Sequence, residues 1–392
     1  MAQTTTPRAV TAEGLAEGAR ALAPKLAERA QTFDELRRLT PETAQEIRDL
    51  GIIGAMVPTQ LGGSDLGPVA VFDACVELAR GNASAAWVAG NWTVHGTLGA
   101  MFPVETHEEL FGDGLPTIAT GFSPWRGKTK AADGGTVLSG DWDFSSGINH
   151  SDWVVLQALG ERGPIAHLVP TSEVQVLDNW NTNGLRGTGS HDVHIDELFV
   201  PERRTINMGE SSDGDSHGSR AYGTETLRVP LAQLFGTGVI ATVVGAAFAA
   251  VDAFTGGTAN VIGGLGGVKR SSRPEVHLVL GKASADIGAA HTVVRDTLQT
   301  AIDTVDIEGG FSHEQRVRWR RDIAWAGQTA AGALSSIYEI SGARSLFRGD
   351  ALDQAYRDGI AASHHFSLSW DRLYVGYGEL MTGTTETDLA MV

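Results

Sequence analysis

The chain has 392 residues, 42% of them hydrophobic and 20% charged, which is long enough to bury a sizeable core in two or three units. Asp and Glu number 47 against 30 Lys and Arg, and the formal charge of −17 argues against the cationic face that a nucleic acid or an anionic membrane requires. The single cysteine, Cys75, excludes an intramolecular disulfide and a cysteine-rich zinc site, and its apolar surroundings predict a buried helix position.

The polar stretch from Met1 to Arg8 lacks the apolar core of a signal peptide, so the cytoplasm is the expected location. From Thr11 to about Gly112 the periodicity is helical. Leu15, Ala19, Leu22, Leu26 and Ala30 recur at three- and four-residue steps, and Thr40-Pro41-Glu42-Thr43 is a helix start with proline at the first position. Gly51, Gly54, Pro58, Gly62 and Gly63 break the pattern. It resumes over Pro68 to Arg80 and again over Ala83 to Gly99, where Trp87, Trp92 and His95 lie.

From Leu115 to about Ile206 the period becomes two. Asp133-Gly134-Gly135 marks a turn, and runs at 153–156, 165–169, 174–177 and 193–196 read as strands. Within this segment Asp141-Trp142-Asp143-Phe144-Ser145-Ser146-Gly147 ends an aromatic strand in two serines and a glycine. Such an end can bring a hydroxyl and bare amides close to a flat ligand, a candidate cofactor wall.

Residues 209–223 read as a loop, and from Leu227 the pattern is helical to the end. The apolar run Val229 to Val251 raises the question of a membrane span, but Gln233, Gly236, Gly238 and Gly245 predict a buried, closely packed helix. The six glycines of 255–267 predict a mobile loop; no strand precedes them and no Gly-Lys-Ser/Thr follows, which disfavours a phosphate cradle. Ser312-His313-Glu314-Gln315 matches a capping box, and Asp350 is placed to cap the last helix. The expected organisation is a helical domain over 1–113, a β-domain over 114–212 and a helical bundle over 213–392. No βαβ alternation is present.

Three motifs carry a resemblance to a known family. They are Val57-Pro58 with Leu61-Gly62-Gly63; Gly184-Leu185-Arg186-Gly187-Thr188-Gly189-Ser190-His191 with Phe199-Val200-Pro201; and Gly342-Ala343-Arg344 with Tyr356-Arg357-Asp358 and Ser363-His364-His365. The chain resembles the acyl-CoA dehydrogenase superfamily, in its flavin-dependent monooxygenase branch: the oxygenase components of two-component systems such as the 4-hydroxyphenylacetate, steroid-phenol and indole hydroxylases. The fold so implied is α+β, with an N-terminal helical domain, a central β-barrel or sandwich and a C-terminal four-helix bundle. The C-terminal Met381-Thr382-Gly383-Thr384-Thr385 departs from the Tyr-Glu-Gly-Thr setting of a dehydrogenase base, and Gly121-Phe122-Ser123-Pro124 from its Thr-Glu-Pro flavin segment. Both argue against thioester dehydrogenation.

The resemblance implies reduced flavin, FADH2 or FMNH2, and O2 as co-reactants, a C4a-hydroperoxyflavin, an NAD(P)H:flavin reductase as partner, an aromatic small-molecule substrate and a homotetramer. It places Ser146 at the flavin, with Ser123 and Trp142 nearby. It gives the acceptance of the substrate proton to His364 and His365, with His365 favoured, and sets His95 across the substrate. Arg228, Arg270, Arg273 and Arg344 are candidates for the flavin phosphate, since a planar guanidinium suits it. His150, His167, His191 and His194 read as structural, with no metal-ligand spacing. Oxygenation of an amine nitrogen or thioether sulfur by the same fold is the alternative, then dehydrogenation of an acyl-CoA or flavin binding without turnover.

Overall fold

Side-chain caps and glycine stops set the first helices. Thr11 caps α1 (Ala12–Glu28), and Thr40, accepting from the Thr43 amide, caps α3 (Pro41–Asp49), while the short α2 (Ala30–Leu36) lies between them. A computed structural model of the chain describes residues 10–161, 163–209, 213–263, 267–306 and 311–384. The expectation for Met1 to Arg8 therefore falls outside the described residues, as do parts of the 209–223 and 255–267 segments. After a turn of 3-10 helix around Gly51 to Gly62 come α4 (Gly67–Gly81), α5 (Ala83–Met101) and α6 (His107–Phe111). Cys75 is wholly buried in α4.

The next strands are β1 (Ile118–Gly121), β2 (Gly127–Ala132), β3 (Gly135–Ser145), β4 (Trp153–Gly160), β5 (Gly163–Pro170), β6 (Gln175–Leu177), β7 (His191–Pro201) and β8 (Thr205–Asn207). They form two four-stranded sheets, in the orders β1-β4-β5-β8 and β2-β3-β7-β6, with β1 and β4 parallel and every other pair antiparallel. Ala119, Leu138, Trp142, Val154, Leu156 and Val193 form a core of their own there. The register of β3 against β7 slips between Trp142 and Ser145, and there Phe144 takes a left-handed φ of 62°. That bulge swings Phe144 outward and turns Ser145 and Ser146 in.

Residues 217–222 are helical, against the loop expected there: Ser216 and Ser219 make a capping box that nucleates α7 (His217–Tyr222). Two short turns, α8 (Glu225–Arg228) and α9 (Leu231–Leu234), lead into α10 (Thr237–Gly256). The glycine-rich segment is not all loop, since β9 (Ile262–Gly263) pairs with β10 (Val268–Lys269). Then follow α11 (Pro274–Thr304), α12 (His313–Glu339), α13 (Ala351–Ser363) and α14 (Trp370–Thr382). The Ser312–Gln315 capping box forms as expected, and Asp350 caps α13, which is not the last helix.

By length and composition Leu231–Asn260 could cross a membrane, but 78% of its most apolar window is buried inside the protein. It meets α5 closely: a Cβ built on Gly90 would lie 2.5 Å from the Cα of Gly238, so the two helices touch backbone to backbone. The contact lies five residues before His95 and three after Phe235, and so sets their separation. Gly90→Ala should cost about 1–3 kcal/mol by overpacking, read as a lower thermal midpoint.

Candidate active site

Asn82 caps α5 through the amide of Ala85, and the helix then runs fully buried from Ala83 to Met101. Inside it, His95 Nδ1 lies 2.9 Å from the carbonyl oxygen of Ile118 on β1. A carbonyl only accepts, so Nδ1 carries the proton and Nε2 presents its lone pair, 3.2 Å from the hydroxyl of Thr120. Complete burial pushes the His95 pKa down to about 4, so the ring is a neutral acceptor at neutral pH.

Ser146 sits at the end of a chain of hydroxyls whose directions are fixed from the far end. Thr188 Oγ1 donates to the carbonyl of Leu185 at 2.8 Å, which uses its only hydrogen. Ser190, 2.6 Å away, must then donate to Thr188, and Ser146, 2.7 Å from Ser190, must donate to Ser190. Trp87 Nε1 donates to Ser146 Oγ at 3.0 Å. One lone pair of Ser146 is left, able to accept an N–H. The loop carrying this chain is held by Asp358 of α13, wholly buried, whose carboxylate accepts from the Leu185 amide at 2.7 Å and from Gln354 at 2.9 Å. Burial pushes the Asp358 pKa up to about 6. Leu185, at φ 53°, and Gly189, at φ 56°, shape the loop in the left-handed region.

His364 and His365 lie past the end of α13 rather than within a helix. His364 caps the helix, is exposed, and bonds through Nδ1 to the carbonyl of Ile360. His365 turns inward. Its Nδ1 accepts from the backbone N–H of Ser367 at 3.3 Å and from the Ser367 hydroxyl at 2.8 Å, which leaves the proton of the neutral ring on Nε2. Burial, with the charge of Arg320, pushes its pKa down to about 4.

Aromatic rings join these groups. The His365 ring packs edge-on against Trp87 at 5.4 Å and lies 4.4 Å from Phe366. Phe366 approaches Phe235 at 6.4 Å, and Phe235 lies 5.6 Å from His95 and 4.8 Å from Phe122. Ser146, Trp87, His365, Phe366, Phe235 and His95 thus form one continuous wall.

The other expected residues distribute differently. Trp142 is fully buried in the core of the β-sheets, with Nε1 donating to the carbonyl of Gln157 at 2.7 Å, so its indole is packing and offers no face to a cofactor. Arg228, half-buried, is engaged by Asp306, and its Nε is buried without a partner among the described residues. Arg344 is exposed, whereas Arg270 lies against Gly342 and its Nη1 is buried without a protein partner. Ser123 is buried beside the start of a 3-10 turn. Trp87, Thr188, Ser190, Phe235 and Asp358 received no role from the sequence, although three of them lie in motifs quoted above. Among the described residues no group of three or more His, Cys, Asp or Glu converges to hold a metal ion.

Known proteins match this architecture. Residues 11–121 match the family model of the acyl-CoA dehydrogenase N-terminal domain, and residues 237–370 that of the acyl-CoA dehydrogenase C-terminal domain. A flavin-dependent monooxygenase oxygenase subunit, HsaA, from Rhodococcus jostii is 29% identical over 94% of this chain and 98% of its own length. An FADH(2)-dependent resorcinol hydroxylase oxygenase component from Rhizobium sp. is 30% identical over 90% of each chain. The crystal structure of 3-HSA hydroxylase from Rhodococcus sp. RHA1 superposes with a TM-score of 0.90 at 28% identity, over 96% of this chain and 99% of that one.

Proposed function

The chain belongs to the acyl-CoA dehydrogenase superfamily, in its flavin-dependent monooxygenase branch, and from that premise we propose that it is the oxygenase component of a two-component system, hydroxylating a phenol- or indole-type small molecule. A separate NAD(P)H:flavin reductase supplies the reduced flavin, and the cytoplasm is the setting. The observation that carries this reading is the aromatic wall bearing a fixed acceptor, His95 Nε2, at one end and a fixed donor, His365 Nε2–H, at the other.

The residues present fit a reduced flavin. Ser146 keeps a lone pair for an N–H, and Arg270 has a buried guanidinium nitrogen with no protein partner, suited to a phosphate. When bound, reduced flavin supplies the electrons that activate O2, one atom entering the ring and the other leaving as water. Trp87, Phe122 and Phe235 keep bulk water from the site. His95 Nε2 takes a share of the phenol or indole proton and so makes the ring electron-rich; the deprotonating role therefore moves from His365 to His95, because the donor on His365 Nδ1 is a fixed backbone N–H whereas the one on His95 Nε2 is the Thr120 hydroxyl, which can rotate away. His365 Nε2–H holds the oxygen that is delivered or released. His364, exposed, has no part in this. Leu346 and Phe347, 69% and 72% exposed beside Arg344, support a homotetramer in which Arg344 faces a neighbouring copy's cofactor.

Rapid mixing of the protein with anaerobically reduced flavin, then with oxygenated buffer and a panel of phenols and indoles, tests the reading. A hydroxylated product formed in proportion to the flavin consumed is the expected result. Reduction of oxidised flavin by an acyl-CoA, without oxygenation, would replace it with a dehydrogenase.

A further inference from the structure

Among the described residues, Arg320 of α12 is a guanidinium without a counter-ion. It is only 6% exposed, Nη1 donates to the carbonyl of Ala232 at 2.7 Å, and Nε is buried with no protein partner. The charge that acts on it is another cation, Arg372, and it in turn acts on His365. A buried charge left alone costs several kcal/mol, so a protein that keeps one has a use for it.

Two more orphaned groups face the same space. Gln233 Nε2 and Thr237 Oγ1, on residues 9% and 1% exposed, are also buried without partners. Together with Arg320, Gly236, Leu298 and Ser367 they line a void of ≈ 10 Å³, room for about one oxygen-sized group. All three orphans can donate a hydrogen bond, and among the described residues no carboxylate lines the void. It lies beside the aromatic wall: Ser367, which lines it, bonds to His365, and Gly236, next to Phe235, has the Ser367 hydroxyl 3.7 Å from a built Cβ.

We infer that the Arg320–Gln233–Thr237 void receives an anionic group, a carboxylate, at the end of the aromatic substrate remote from the reacting ring. This rests on the proposed oxygenase reading and narrows its substrate class to aromatic acids. The paired guanidinium and amide donors match a carboxylate's two oxygens, one seated in the void and the other at its mouth.

Equilibrium dialysis of the full-length protein against two matched pairs tests it: 4-hydroxyphenylacetate against 4-hydroxyphenylacetamide, and indole-3-acetate against indole-3-acetamide. The acids should bind about tenfold or more tightly than the amides. Gln233→Glu, which supplies an internal carboxylate, should erase that preference, raise the thermal midpoint and leave the affinity for reduced flavin unchanged. Arg320→Met should also erase the preference. Equal binding of acid and amide by the unsubstituted protein would overturn the proposal and show that the void takes a water only. Loss of reduced-flavin affinity in Gln233→Glu would overturn it too, by assigning the cation to the flavin. Oxygen consumption with neutral phenols is scored separately, so a protein that binds the acids but oxygenates nothing refutes the oxygenase reading and leaves the anion site standing.

Discussion

Replacing His95 by asparagine should lower phenol hydroxylation by about 10²-fold or more, the lower range of what a positioned proton acceptor contributes. Asparagine keeps a donor where Nδ1 stands, so the bond to the Ile118 carbonyl survives and α5 stays seated on β1. What it lacks is the lone pair of Nε2 beside Thr120. Oxygen consumption should therefore continue and appear as hydrogen peroxide, because the oxygen-activating half of the reaction does not use that lone pair. A thioether or amine substrate needs no deprotonation and should lose much less. The unsubstituted enzyme carries a second signature. With His95 and His365 both held down to about 4, neither should add an inflection near the ordinary histidine value of 6.5, and a step near 6 belongs to Asp358, which holds the Leu185 loop. Single-turnover product yields, with peroxide counted in parallel, check all three; a His95→Asn enzyme that still hydroxylates phenols fully coupled would remove His95 from the chemistry.

The fold was legible where local signals and burial agree. Thr40-Pro41, the Ser312–Gln315 box and the Asp133-Gly134-Gly135 turn act through bonds within four residues, and each forms as read. The helix at His217–Tyr222 was missed because serine, glycine and histidine carry little helical preference, and what starts it is the reciprocal Ser216–Ser219 cap. Trp142 was misassigned for a related reason. Strand alternation gives two faces without saying which is core, and the bulge after Trp142 sends Phe144 outward instead.

The site was legible as a set of residue types and not as roles. His95, Ser146 and His365 stand along one wall, yet the direction of each hydrogen bond depends on partners far away in sequence: Ile118 for His95, Ser190 for Ser146. Only His365 has its tautomer set locally, by Ser367 two residues on, and a histidine followed by such a serine could have been read as a backbone-capped ring. Arg320 was invisible for the opposite reason. Within Arg316-Val317-Arg318-Trp319-Arg320-Arg321 it looks like one of four surface cations, and only the packing of α12 against α10 puts it inside.

The hydroxyl chain behind Ser146 yields the second large effect. Reduced flavin offers an N–H at N5, while oxidised flavin offers only a lone pair there, and Ser146 can accept but not donate because its hydrogen is committed to Ser190. The protein should therefore favour the reduced form. Ser190→Ala frees that hydrogen, and Thr188→Val lets Ser190 reverse and donate toward Ser146, so both variants give Ser146 a proton to offer oxidised N5. Each should raise the affinity for oxidised flavin while leaving that for reduced flavin nearly unchanged, closing the ratio of the two by about fivefold to tenfold, the worth of one hydrogen bond. Ser190→Thr, which keeps the hydroxyl, should retain the ratio. Paired titrations, one anaerobic with reduced flavin and one with oxidised flavin, measure it directly. If the ratio stays fixed in both variants, the direction assigned to the Thr188–Ser190–Ser146 chain is wrong, because the far carbonyl of Leu185 would then not be setting the proton at the flavin edge.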